Sequence, residues 1–166
     1  MNRTLEKPTG RWRNQRSILA DILQPWTPHP ISVTLSALNF PVRARIEALS
    51  KTLSEQGCQV VELATDELEV NAAAIEQADA HIIVMTVAWL DCPWSVLELM
   101  ACIELGIPTL VLIHALPDKP EHAAIRHCLR KVLTFGANGD DEHRLRSKLW
   151  QLIRLGHLHY EARQTA

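Results

Sequence analysis

The stretch HIIVMTVAWLDCPWSVLELMACIELGIPTLVLIH, residues 81–114, decides the fold. Two apolar runs, HIIVMTV (81–87) and PTLVLIH (108–114), bracket a segment that opens at Pro93 and stops at Gly106. Continuous apolar runs suit central parallel strands covered on both faces. Proline at a first turn and glycine just past an end mark a helix, so the spacing predicts one over 93–105. A strand, helix, strand unit of this kind makes a right-handed crossover between parallel strands.

Working outward, the same alternation repeats. Towards the N-terminus lie a β-branched strand ISVTLS (31–36), a helix PVRARIEALSKTLSEQG (41–57), a strand CQVVEL (58–63) and a short helix LEVNAAAIEQA (68–78). Towards the C-terminus, PEHAAIRHCLR (120–130) reads as a helix, KVLTF (131–135) as the last strand and DDEHRLRSKLWQLIRL (140–155) as a final amphipathic helix. Five strands alternating with helices predict an α/β, flavodoxin-like three-layer sandwich. Its five-stranded parallel sheet would run in the order 2-1-3-4-5, with a ligand crevice at the carboxyl ends of the strands. Ahead of this domain, residues 11–24 read as a helix with an apolar stripe of Ile18, Leu19, Ile22 and Leu23. QPWTPHP (24–30) reads as a proline-rich linker. The chain therefore divides into an N-terminal helix and linker (1–30), the α/β domain (31–155) and a C-terminal tail (156–166).

Composition narrows the function classes. Hydrophobic residues make up 47% and charged residues 22% of the 166, as in a soluble globular domain. A formal net charge of -2 argues against a nucleic-acid binder, which usually carries a basic face. No apolar run is long enough for a membrane span, and the N-terminus lacks a signal-peptide core, so a cytoplasmic protein is expected. Cys58, Cys92, Cys102 and Cys128 form no CxxC pair and read as reduced thiols. The eight histidines are scattered, so no metal site is expected. TLSALNF, after the first strand, has no glycine, which argues against a phosphate-binding nucleotide loop.

Glu98 stands out within the apolar stretch. On a helix from Pro93 it follows Trp94 by four residues, so the two share a face, with Cys102 and Leu105 continuing it. Val96, Leu99, Met100 and Ile103 would then face the sheet. No lysine or arginine stands three or four residues from Glu98 to form an intrahelical ion pair. A carboxylate among apolar neighbours is costly unless it is paired, protonated or near water. An aromatic ring beside a carboxylate at a crevice suits a flat heterocycle attached to a sugar: the ring stacks on the base and the carboxylate reaches the anomeric carbon.

ADAHIIVMTVAWLDCPWSVLELMACIELGIPTLVLI (78–113) resembles the signature half of a Toll/interleukin-1 receptor (TIR) domain. There a strand and turn lead into a W-x-x-x-E helix and then a strand of the IPVIPI kind. Trp94 and Glu98 match that motif, and Glu98 falls where enzymatic members carry their catalytic glutamate. ISVTLS is similar to the family's first strand, with Ser36 at the family's serine. The resemblance implies a hydrolase of NAD+ that breaks the nicotinamide–ribose bond and yields ADP-ribose or a cyclised isomer. NAD+ would be substrate rather than cofactor. In bacteria such domains often serve in antiviral (anti-phage) defence, active as homo-oligomers or with a partner protein. Glu98 would then stabilise or attack the ribosyl centre, Trp94 would shape the pocket, and Ser36, Ala37, Leu38, Asn39 and Phe40 would line its other wall. The chain departs from the family after the first strand, where ALNFP replaces a polar loop with an aspartate. It departs again in ATDELEVNA, which is short and lacks the customary glycine.

A second resemblance is to nucleoside 2-deoxyribosyltransferases. These share the fold and place a nucleophilic glutamate on the corresponding helix, but the glycine–threonine pair ahead of that glutamate is missing here. A non-enzymatic TIR scaffold is the third reading. It needs neither Trp94 nor Glu98.

Overall fold

The computed structural model describes residues 30–37, 43–63, 68–136 and 142–166. Strands β1 (Ser32–Ser36), β2 (Gln59–Leu63), β3 (Ala80–Met85), β4 (Thr109–Ile113) and β5 (Leu133–Gly136) form one parallel sheet in the order β2-β1-β3-β4-β5. This is the expected α/β sandwich with the expected strand order. The helices are α1 (Arg43–Glu55), α2 (Leu68–Gln77), α3 (Val87–Asp91), α4 (Ser95–Glu104), α5 (Ala123–Leu129) and α6 (Glu142–Gln164).

Successive strand residues point to opposite faces, and the two faces are built differently. On one face Val33, Leu35, Ile82, Val84, Leu110 and Leu112 pack against Ile46, Leu49 and Leu53 of α1 and Leu149, Leu152 and Ile153 of α6. On the other, Ile83, Met85 and Val111 pack against α3, α4 and α5 through Trp89, Leu90, Leu99, Ile125 and Cys128. That second face turns polar where β1 meets β3. Thr34, Ser36 and His81 are all buried there, with Thr34 and His81 side by side in register.

Gly57 and Gly106 end α1 and α4 with positive φ, at 82° and 67°. After α4, the amide of Gly106 donates to the carbonyl of Ile103 at 3.1 Å and that of Ile107 to Cys102 at 2.9 Å. Gly57 and Cys58 repeat the pattern onto Ser54 and Leu53, at 3.0 Å each. This paired closure satisfies orphan carbonyls and turns the chain straight into the next strand.

Two stretches differ from the sequence expectation. β3 stops at Met85, not Val87, because Thr86 caps a short helix: its hydroxyl accepts the Trp89 amide at 3.2 Å. The following helix accordingly starts at Ser95, with Trp94 as its N-cap. The last helix does not stop at Leu155 but runs through to Gln164, so most of the expected 156–166 tail is helical. Gly156 lets α6 come close to the sheet, since a Cβ there would lie 2.9 Å from Ile31 Cδ1 and 3.3 Å from Ala80 Cβ. Beyond it, Arg163 anchors the helix end on the Gln77 carbonyl at 3.2 Å and on Asp79. The helix expected over 11–24 falls outside the described residues. Among the described residues no helix is long and apolar enough to cross a membrane.

Candidate functional site

Glu98 sits in the first turn of α4 and reaches back to the polar patch of the sheet. Its Oε1 lies 2.7 Å from His81 Nε2. Its Oε2 accepts the Ser36 hydroxyl and the indole N–H of Trp89, each at 3.3 Å. Behind His81, Nδ1 lies 2.6 Å from the Thr34 hydroxyl, which in turn is 3.4 Å from the Ala80 carbonyl. Four elements thus converge on one carboxylate: β1 supplies Thr34 and Ser36, β3 supplies His81, α3 supplies Trp89, and α4 carries Glu98 itself.

The local sequence explains why these groups meet. Thr34 and Ser36 are two apart on β1 and share a face. α3 and α4 are held at a fixed angle by Ser95, whose buried hydroxyl donates to the Trp89 carbonyl. The Trp89 ring is itself buried in the core and donates its N–H to Glu98. Of the α4 residues expected against the sheet, Leu99 is buried and Val96 and Ile103 pack against the same cluster. Ser95, Leu99 and Cys102 are its buried residues, on the same side as Glu98, whereas Met100, expected against the sheet, is 40% exposed. The partners of Glu98 lie on the sheet, so the carboxylate turns inward, while the part-exposed Leu97 and Leu105 border the cavity and Met100 is exposed away from it.

Burial pushes the Glu98 carboxyl up, but the hydrogen bond and charge of His81, with the bonds from Ser36 and Trp89, outweigh it. The group therefore lies below its ordinary value of 4.5 and is an anion at neutral pH. The same charge acts on its neighbour: burial, then the Glu98 anion, push the Cys102 thiol up to about 12.

The side chain of Glu98 is 15% exposed, and what it faces is a cavity of about 300 Å³. The cavity opens at the carboxyl ends of β1 and β2, between α2 and the α3–α4 corner. Ser36 and Leu63 form its floor, Ile75 and Glu76 one wall, and Trp89 with Leu97 the other. Trp94 stands at the rim, 48% exposed.

Of the residues expected at the site, Glu98, Trp94 and Ser36 are brought together around this cavity. Ala37 is not among its lining residues and packs instead against the core on the α1 side. Leu38, Asn39 and Phe40 lie outside the described residues. His81, Thr34 and Trp89 were not expected at the site. Their signal was present, in a histidine opening a central strand and in the valine–threonine–leucine–serine alternation of β1. Among the described residues no group of three or more histidine, cysteine, aspartate or glutamate side chains could hold a metal ion. The chain matches no family model, no curated protein and no solved structure.

Proposed function

We propose that this chain cleaves the N-glycosidic bond of NAD+, releasing nicotinamide and ADP-ribose, with Glu98 at the reaction centre. The observation that carries the reading is an ionised carboxylate, held by three donors, on the wall of a cavity rimmed by a half-exposed tryptophan. When the C1′–N bond breaks, its electron pair stays on the pyridine nitrogen and nicotinamide leaves neutral. The leaving group needs no proton, so the site needs an anion rather than an acid. Glu98 supplies one, facing the positive charge that develops on the ribosyl carbon. Water then adds at C1′, and its proton passes to Glu98 and on to solvent.

His81 positions the carboxylate for this step: its Nε2 lies 2.7 Å from Glu98 Oε1, and its Nδ1 is fixed in turn by the Thr34 hydroxyl at 2.6 Å. Neutral purine or pyrimidine nucleosides leave poorly without a proton donor, which ranks deoxyribosyl transfer behind pyridinium cleavage.

The test is nicotinamide release from NAD+ by concentrated purified protein, set against Glu98→Gln. Release that the substitution abolishes is the expected result. Release that survives it removes Glu98 from the mechanism and overturns the proposal.

A further inference from the structure

The cavity beside Glu98 has a second carboxylate, Glu76 on α2, and among the described residues that line it there is no lysine or arginine. Its remaining walls are largely apolar, with Leu63, Ile75 and Leu97 facing inward. A phosphate entering this space would lose hydration and meet two carboxylates without a cation to balance it. The positive end of α4 offers no substitute, because Glu98 already occupies its first turn. A positively charged aromatic ring meets the opposite welcome. It is drawn to both carboxylates and can lie against the Trp94 face. The volume of about 300 Å³ is at the small end for ligand cavities, enough to enclose a base and one sugar and leave the rest of a dinucleotide outside.

We infer that the cavity takes only the nicotinamide and its ribose, so that the 5′-phosphate of NAD+ stays outside it, and that a pyridinium nucleoside lacking this phosphate is the preferred substrate. The inference rests on the N-glycosidase reading above and narrows its substrate. Any phosphate-bearing substrate would have to keep its phosphate outside the cavity, between Glu76 and solvent.

The experiment compares nicotinamide riboside, nicotinamide mononucleotide and NAD+ as substrates for the wild type, Glu98→Gln and Glu76→Lys. The expected result is a kcat/KM for the riboside about tenfold or more above that for the mononucleotide, the scale of one like-charge contact near a surface. Glu76→Lys should narrow or reverse that ratio. A mononucleotide cleaved as well as the riboside, or a ratio that Glu76→Lys leaves unchanged, overturns the inference while the glycosidase reading stands. Nicotinamide release that is undiminished in Glu98→Gln overturns the reading instead. Binding is measured separately, by quenching of tryptophan fluorescence in Glu98→Gln, with Trp94→Phe identifying the reporter. Tighter quenching by the riboside than by the mononucleotide supports the selectivity even without turnover, and equal quenching by the two overturns it.

Discussion

Asp79 and Glu98 are both carboxylates in the interior, and the fold treats them in opposite ways. Asp79 stands just before β3, 3% exposed, where its Oδ2 accepts the Ser32 amide at 2.8 Å and its Oδ1 pairs with Arg163 of α6. Its partners are a backbone group and an arginine tied to the Gln77 carbonyl, and it lines no part of the cavity. Glu98 is held by three side chains, His81, Ser36 and Trp89, and it faces an open cavity. The first arrangement fastens two strands and the terminal helix together. The second holds a charge ready beside a space large enough for a ligand. Burial of a carboxylate alone does not mark a reactive site; the nature of the partners and an open side do.

The comparison breaks if the two carboxylates can be exchanged in effect. Glu98→Gln should lower kcat/KM for nicotinamide release by about a hundredfold or more, the scale of removing a preorganised electrostatic group. Its thermal unfolding should move little, because glutamine can still accept from Ser36 and Trp89. Asp79→Ala should do the reverse. Removing one partner of a buried pair costs about 3–5 kcal/mol, but Arg163 is about a third exposed and can turn to water. A loss of about 2–3 kcal/mol by denaturant titration is therefore expected, with kcat unchanged in the folded fraction. A large activity loss in Asp79→Ala with intact stability would erase the distinction.

Gly156 tests the fastened corner more gently. In an open helix, replacing glycine gains up to about 1 kcal/mol. Here a side chain would press on Ile31, Ala80 and the Asp79 carbonyl, the last at 3.4 Å from a built Cβ. Gly156→Val should therefore destabilise by about 2 kcal/mol through overpacking, and Gly156→Ala by less. Chemical denaturation reads both, and a stabilised Gly156→Val would show that α6 does not seat on β1 and β3 as described.

The two corners were not equally legible in the sequence. Strand order, helix stops at Gly57 and Gly106, and the meeting of Trp94 with Glu98 all follow from periodicity, punctuation and the i, i+4 spacing. The partners of Glu98 do not, because they come from β1, β3 and α3, and no local rule joins position 98 to position 81. On α4 the apolar pattern placed Val96, Leu99 and Ile103 against the core as found, and missed only that Met100 is exposed and Ser95 buried. The role of Asp79 is invisible to a local reading, since its arginine lies at position 163, in the segment expected as a C-terminal tail. Tertiary pairing of polar groups is where the sequence reading ran out. The missed clue was polarity repeating every second residue on a buried strand.

His81 separates holding from reacting. The Glu98 carboxyl lies below its ordinary value, against the upward push of burial, chiefly because of His81. Its contribution to stability is thus complete above the ordinary value of 4.5 and is lost as pH falls through the lower folded value. His81→Gln keeps a donor near Oε1 but removes the imidazole charge. The acidic limb of the kcat/KM profile should then move to higher pH, with a loss at neutral pH of less than about tenfold. An unmoved limb would mean that His81 only fills space.

Thiol labelling gives the smallest effect and compares the sealed interior with the open cavity directly. Cys58 and Cys102 are buried, and burial pushes their thiols up to about 11 and about 12, the Glu98 anion adding to the rise at Cys102. At pH 8 a thiol at 12 is thiolate in about one molecule in ten thousand, so both should resist alkylation in the folded protein. Cys128 is buried as well. Cys92, by contrast, is only partly buried and lines the cavity between Trp89 and Trp94. Iodoacetamide followed by peptide mass mapping should therefore modify Cys92 first, and nicotinamide riboside should slow that reaction by a few-fold as it occupies the cavity. Protection that appears at Cys92 and not at the other three thiols locates the ligand beside Glu98. Equal protection everywhere would mean a general tightening of the fold, and no protection would leave the cavity without its ligand.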